Sequence, residues 1–387
     1  MSLKLRRWFI VSVDLVLSTS MIMFGEYIIL AAAAFSRAIA LPNRGHGSHP
    51  GMGSCPPFGG TFTIDQYQLY PENADFDFDS CLLYTGNLFN SSVGVYDPYK
   101  NKIVDIIEFP GISHNPEYHV GGVGIDKRTG LLSIVVDAAA AFSTTPPDVS
   151  GTNLILLLDP STKELIYKIN LTDTTHGKYG GFQDVEQDPD GRVYVVGTFP
   201  GSILRVDKKR GKRDPKVKPW YVSQPIDTTR TGLSGLASKD WTLISNDNNG
   251  GRLLNFNMRL PTGIPTVVPL TPAYNISFSD AIYLPPKYGG TVLLVAEDGV
   301  GITVLRSKDG KWNAAECLGT VPKNQYVTDD IFSTAAVQVG SSVYMVVTTF
   351  ADPIVPGTLA GSRREFPFYD ITAQVERFLG LDTLKYE

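Results

Sequence analysis

The sequence is most informative first through what it lacks. No Gly-x-Ser-x-Gly turn occurs, which excludes the nucleophile elbow of an α/β-hydrolase. No Gly-x-Gly-x-x-Gly opens a helix, so a dinucleotide fold has no phosphate cradle. The glycine-rich Gly121-Gly122-Val123-Gly124 has no helix after it and reads as close backbone packing. His-Glu-x-x-His is absent, and five histidines without a Cys/His cluster give structural zinc no ligand set. A net charge of −5 with no dense basic stripe excludes nucleic acid as a partner. The one basic run, Lys208 to Arg213, reads as a solvated hairpin tip.

Cysteine is scarce too: Cys55, Cys81 and Cys317 allow at most one disulfide. Cys81 precedes an apolar strand and is expected as a buried thiol, which leaves Cys55 and Cys317 as the expected pair. Long apolar runs are confined to the first forty residues. There Lys4, Arg6 and Arg7 precede the apolar stretches Trp8 to Val16 and Met21 to Phe35, interrupted by Asp14 and Glu26. Ala38-Ile39-Ala40 fits a small-x-small cleavage site, so residues 1–40 are expected to be a signal peptide or, uncut, an anchor. Acids at bilayer depth are costly, which favours cleavage. Sequons at Asn90, Asn170 and Asn275 agree with passage through the secretory pathway. Residues 41–57, rich in Gly, Pro and Ser, read as a flexible lead-in that cannot bury a core.

What is present is a repeat. Its clearest copy, Gly181 to Gly197, reads as a strand, an Asp190-Gly191 turn and a second strand, with Ile203 to Asp207 following. The plan recurs from near residues 71, 120, 232, 278 and 329. A period of roughly 40–50 residues with four short strands is that of a propeller blade. The longest interval holds Ala138 to Pro147, a loop insertion. Thr61 to Leu69 alternates as an outer strand with no earlier strands of its own, while the last blade lacks one. Closure by that segment removes two open edges. The expected fold is all-β: a six-bladed propeller closed by an N-terminal strand, filling residues 58–387 as a single domain. A loop at Ala351 to Arg364 and a short helix near Gln374 to Leu379 depart from the period.

The innermost strand of each blade lines the axis, so its first residues face the channel. Those are Glu72 and Asn73, His119 and Gly122, Gln183 and Asp184, Ser234, Asp280, and Asp329 with Asp330. Buried carboxylates are costly unless used or paired, so this ring is the candidate site. Asp184, Asp280 and Asp330 are its expected catalytic acids, Asp330 being chosen over Asp329 from the register of Asp280. Glu72, Asn73, His119, Gln183 and Ser234 are expected to bind substrate. Strand-end Asp residues also cap loops, which is the structural alternative for each. Glu72, Asp184 and Asp280 could hold Ca²⁺, as in the six-bladed lactonases that this arrangement resembles. Ser234 stands where a ligating Asn would, so no metal or other cofactor is assigned.

The run Pro56 to Phe76, with Tyr70-Pro71-Glu72-Asn73-Ala74-Asp75, followed by Leu82-Leu83-Tyr84-Thr85-Gly86-Asn87 and Val95-Tyr96-Asp97-Pro98, resembles the fungal trichothecene biosynthesis cluster propeller family. That family is similar to a yeast skin-allergen propeller. The resemblance covers Pro56 to the C-terminus. It implies a secreted or endomembrane protein serving sesquiterpenoid mycotoxin production and virulence. It also implies a cyclase-type activity, closing the oxygen ring of a hydroxylated precursor with loss of an allylic hydroxyl. Its expected partner is a small terpenoid substrate, with a monomeric protein and no membrane contact beyond the N-terminal segment. A metal-dependent lactonase-type hydrolase and a non-catalytic ligand-binding protein are the alternatives.

Overall fold

The computed structural model describes residues 55–381 apart from Lys212, all within one compact unit, Pro50–Glu387. The expected signal peptide or anchor and residues 41–54 of the lead-in lie outside the described residues. The strands run β1 (Phe62–Asp65), then β2 (Pro71–Asp77), β3 (Leu82–Asn87), β4 (Ser92–Asp97) and β5 (Lys102–Ile107) in blade 1. Blade 2 holds β6 (Tyr118–Ile125), β7 (Leu132–Ala138), β8 (Leu154–Asp159) and β9 (Glu164–Asn170). Blade 3 holds β10 (Gly180–Gln187), β11 (Val193–Phe199), β12 (Ser202–Val206) and β13 (Val217–Val222). Blade 4 holds β14 (Leu233–Lys239), β15 (Thr242–Asp247), β16 (Arg252–Asn257) and β17 (Thr266–Val268). In blade 5 the two-residue β18 (Leu270–Thr271) lies parallel to the outer strand of β19 (Ser279–Tyr283), β20 (Val292–Glu297), β21 (Gly301–Arg306) and β22 (Ala315–Pro322). Blade 6 holds β23 (Phe332–Val339), β24 (Ser342–Thr348) and β25 (Glu365–Asp370).

Its fourth strand is β1, antiparallel to β25 with Phe62 opposite Phe368 and Asp65 opposite Glu365. Six blades, five of four strands and blade 5 with β18 as a fifth, therefore close as the orphan strand predicts. The loop 351–364 falls inside blade 6, and the short helix forms at Thr372–Leu379.

The core is six wedges, one between each pair of neighbouring blades. Val193 and Val195 face Val135 and Ile155 of blade 2. Tyr194 and Val196, one residue along, face Leu243 and Leu254 of blade 4. Successive strand side chains alternate between faces, and here both faces are covered. That is why the middle strands read as unbroken apolar runs rather than alternating ones. The innermost strands touch in a ring, β2 to β6, β10, β14, β19, β23 and back to β2.

One expectation fails. The disulfide joins Cys55 to Cys81, with Cα atoms 5.5 Å apart, and Cys317 is free on β22. The antiparallel docking of β1 carries the preceding chain to the outer end of blade 1. There Phe58 contacts Tyr99 and Tyr344, and Tyr99 Oη donates to the Pro56 carbonyl at 2.6 Å. Cys81, in the β2–β3 turn with φ 59°, is at that end; Cys317 is on blade 5.

Candidate active site

In each four-stranded blade, the start of the innermost strand and the turn between the second and third strands lie at one end, because the strands are antiparallel. Both face one side of the propeller. Each innermost strand carries a bulge near that end. The pairing with its neighbour slips between Pro71 and Asn73, Val120 and Val123, Phe182 and Asp184, Leu233 and Leu236, Ser279 and Ile282, and Ser333 and Ala335. A bulge frees a residue from the ladder and re-aims its side chain. Glu72, Gln183, Ser234, Asp280 and Thr334 occupy those positions, with Gly121 and Gly122 in blade 2.

The ring is too tight for side chains everywhere. A Cβ on Gly122 would lie 2.4 Å from the Gln183 carbonyl oxygen and 2.8 Å from Asp184 Cα. Gly121 leaves space for its neighbour: Glu72 Oε2 is 3.1 Å from where its Cβ would stand. The Thr334 hydroxyl donates to the Glu72 carbonyl at 2.7 Å, tying blade 6 to blade 1. Asn246 and Asn248 of blade 4 hold blade 5: Asn246 Nδ2 donates to the Asp280 carbonyl at 3.0 Å, and Asn248 Nδ2 to the Ser279 carbonyl at 2.8 Å. Asn248 Nδ2 also reaches Ser234 Oγ at 2.6 Å.

Glu72 and Asp280 lie close enough for each carboxyl to act on the other. Glu72 Oε2 is buried without a hydrogen-bond partner among the described residues. Burial pushes Glu72 up to about 8, helped by the charges of Asp184 and Asp137. Burial holds Asp280 well above the carboxylate range, with Glu72, Asp298 and Asp184 adding to it. Burial also raises Asp298, in the β20–β21 turn, to about 7, against the opposing charge of Lys323. Asp298 Oδ1 has no hydrogen-bond partner among the described residues. A carboxyl at this site can therefore stay protonated near neutral pH.

Asp184 is buried differently. Burial raises it to about 8, yet it accepts from the Leu236 and Val185 amides, each at 2.8 Å, and from Asn73 Nδ2 at 3.3 Å. Its carboxyl ties β10 to β14. Gln183 lends its carbonyl to the close approach of Gly122, and Ser234 is fixed by Asn248. His119 lies on β6 directly opposite Asp137 of β7, with Nδ1 4.0 Å from Asp137 Oδ2 and the Phe89 ring edge-on to it. Burial lowers His119 to about 4 and pushes Asp137 well above its usual range.

Asp330 does not join this group. It is exposed in the turn before β23 and accepts from Thr328 Oγ1 at 2.5 Å, which holds its carboxyl below the usual range. The innermost strand begins at Phe332, not Asp329, because the buried Lys323 ammonium draws in the carbonyls of Thr328, Asp329 and Ile331. The blade 6 counterpart of Asp280 is Thr334. Asp137 and Asp298 escape a search of innermost strands alone. Asp137 is nevertheless visible as the one acid inside the apolar run Leu132 to Ala138.

No group of three or more His, Cys, Asp or Glu side chains among the described residues is arranged to hold a metal ion. A groove lined by Pro200, Tyr221, Arg230, Leu233 and Asp247 opens on the same side of the propeller, between blades 3 and 4. It ends one residue before Ser234 and includes neither Glu72 nor Asp280. The same side carries the exposed Phe142, Ile226, Phe278, Val300, Phe350 and Ile354, with Phe278 80% accessible.

No protein-family model matches the chain. It is 37% identical over 348 residues to trichothecene biosynthesis protein 14 of Trichoderma arundinaceum, spanning 85% of this chain and 93% of that one. It is 32% identical over 343 residues to core trichothecene cluster protein 14 of Fusarium sporotrichioides, spanning 84% and 88%. Among solved structures, the major Malassezia sympodialis allergen Mala s 1 superimposes with a TM-score of 0.68 at 20% identity, covering 81% of this chain and 96% of that one.

Proposed function

The chain belongs to the trichothecene biosynthesis protein 14 family, and from that premise we propose that it acts in trichothecene biosynthesis as a cyclase closing the oxygen ring of a hydroxylated precursor. The observation that carries this reading is the placing of Glu72 and Asp280 on innermost-strand bulges, where burial holds both carboxyls above their usual range and each acts on the other. The protonated member gives its proton to the allylic hydroxyl, whose C–O bond breaks to release water. The ionised carboxyls nearby favour the allylic cation as it develops. A second hydroxyl of the same molecule attacks, and its proton leaves to a base. One ether bond forms, one C–O bond breaks, and one water is lost.

The apolar rim on the same side suits a terpenoid skeleton, and holding it folded contributes several kcal/mol through orientation. The Cys55–Cys81 disulfide supports a place in the secretory pathway, where such bonds persist. The test is ring closure of the purified precursor by this protein, Glu72→Gln and Asp280→Asn. Parent acceleration over spontaneous closure, lost in both variants, is the expected result. Equal rates with and without protein would leave a ligand-binding role, and activity restored only by a divalent ion would favour a hydrolase.

A further inference from the structure

The proposed reaction needs a base as well as an acid, and the carboxyl pair is committed to the acid. Asp184 is occupied by two backbone amides and Asn73. His119 is a neighbouring group with free capacity: neither ring nitrogen has a hydrogen bond among the described residues, and its side chain keeps 18% of its surface accessible. It stands two residues before Gly121, whose absent side chain makes room for Glu72. Opposite it, Asp137 Oδ2 is buried without a hydrogen-bond partner among the described residues. The nearest ring nitrogen to that oxygen is His119 Nδ1. The charge of Asp137 also adds to the upward shift of Glu72.

We propose that His119 is the general base of ring closure and that Asp137 is its positioning residue. The assignment rests on the cyclase reading. A 4.0 Å gap is loose, but such contacts tighten when substrate fills a site. Nδ1–H then donates to Asp137 Oδ2, which can accept as a carboxyl carbonyl or as a carboxylate. That fixes the tautomer with the Nε2 lone pair free, the geometry that a carboxylate imposes on a catalytic histidine. The attacking hydroxyl loses its proton to Nε2 as its oxygen forms the ether bond at the allylic carbon. The Glu72–Asp280 pair delivers its proton to the departing hydroxyl, which leaves as water. Passage of the proton from His119 back to the pair restores both groups, with nothing oxidised or reduced. Burial keeps the imidazole uncharged until it takes this proton.

The experiment is precursor closure by the full chain, His119→Gln, His119→Gly and Asp137→Asn. His119→Gln should slow closure by roughly 10²–10⁴-fold. His119→Gly should regain part of the rate when imidazole is added to the assay, which a structural histidine would not do. Asp137→Asn should keep its fold but move the His119 ¹⁵N resonances toward a different tautomer mixture. If the parent accelerates closure and His119→Gln matches it, the base assignment is wrong and the cyclase reading stands. If the parent gives no acceleration, both fail. Unchanged ¹⁵N resonances in Asp137→Asn would remove Asp137 from the dyad.

Discussion

Asp184 and Asp280 sit on the innermost strands of blades 3 and 5, the first buried and the second half-buried, and both are pushed toward their protonated forms. Their surroundings differ. Asp184 accepts two backbone amides, one from the next blade, and an asparagine. Asp75 does the same between blades 1 and 2, accepting from the Ile125 amide at 2.8 Å and from Lys127 Nζ at 2.6 Å. Asp280 meets another carboxyl, Glu72, instead. Burial alone therefore does not mark function. An acid with donors converging on it is a tie between blades; an acid facing an acid lacks such donors and is the candidate for chemistry.

The largest expected difference is in turnover. Asp280→Asn should lower ring closure by roughly 10²–10⁴-fold, the loss typical of a missing general acid, without lowering the melting temperature. Asp184→Ala should do the reverse in kind. It strands two buried N–H groups, at about 1–3 kcal/mol each, so chemical denaturation should show a loss of about 2–6 kcal/mol. If Asp184→Ala melts with the parent and Asp280→Asn unfolds, the two roles are exchanged.

A smaller effect is the pH dependence of stability. Glu72 is raised to about 8, Asp184 to about 8, and Asp298 and Glu186 to about 7. Each binds its proton more tightly folded than unfolded, so its stabilising contribution is present below its unfolded value and is lost as pH rises through its folded one. His119, lowered to about 4, acts oppositely between there and its ordinary value, but it is one group against four. The melting temperature should fall between about pH 5 and pH 8, each acid contributing at most about 1.4 kcal/mol per pH unit. Glu72→Gln should flatten that fall. A profile that rises over this range in the parent would show that the carboxyls are ionised in the fold.

The fold was legible because its signals are local and repeated: Asp-Gly turns, buried strands near a propeller period, and an outer strand with nothing before it. Glu72, Asp184 and Asp280 were legible because each lies beside a strand start whose position the repeat gives. Their division into tie and acid pair was not. It depends on which neighbour's amide reaches across the blade boundary, a relation between residues about fifty apart. Asp330 was misplaced because register was carried over from Asp280, whereas Lys323 gathers the preceding turn and delays the strand. The disulfide was missed because pairing depends on which end of the blade the lead-in reaches. That follows from the antiparallel docking of β1, not from the spacing of the cysteines.

The smallest expected effect belongs to Asp330, an exposed acid in the turn before β23. Its carboxyl is exposed and bonded to Thr328 within its own turn. Solvent screens it from the Glu72–Asp280 pair, since exposed charges interact weakly with groups beyond the screening length. Asp330→Asn should therefore leave the rate of ring closure, its pH dependence and the melting temperature where they are in the parent. This near-silent variant is the control that gives the other two their meaning. If Asp280→Asn loses turnover and Asp330→Asn does not, the loss tracks burial against a second carboxyl. If Asp330→Asn loses turnover as well, the reactive region extends from the bulge ring to the turn that Lys323 gathers, and substrate must lie across both.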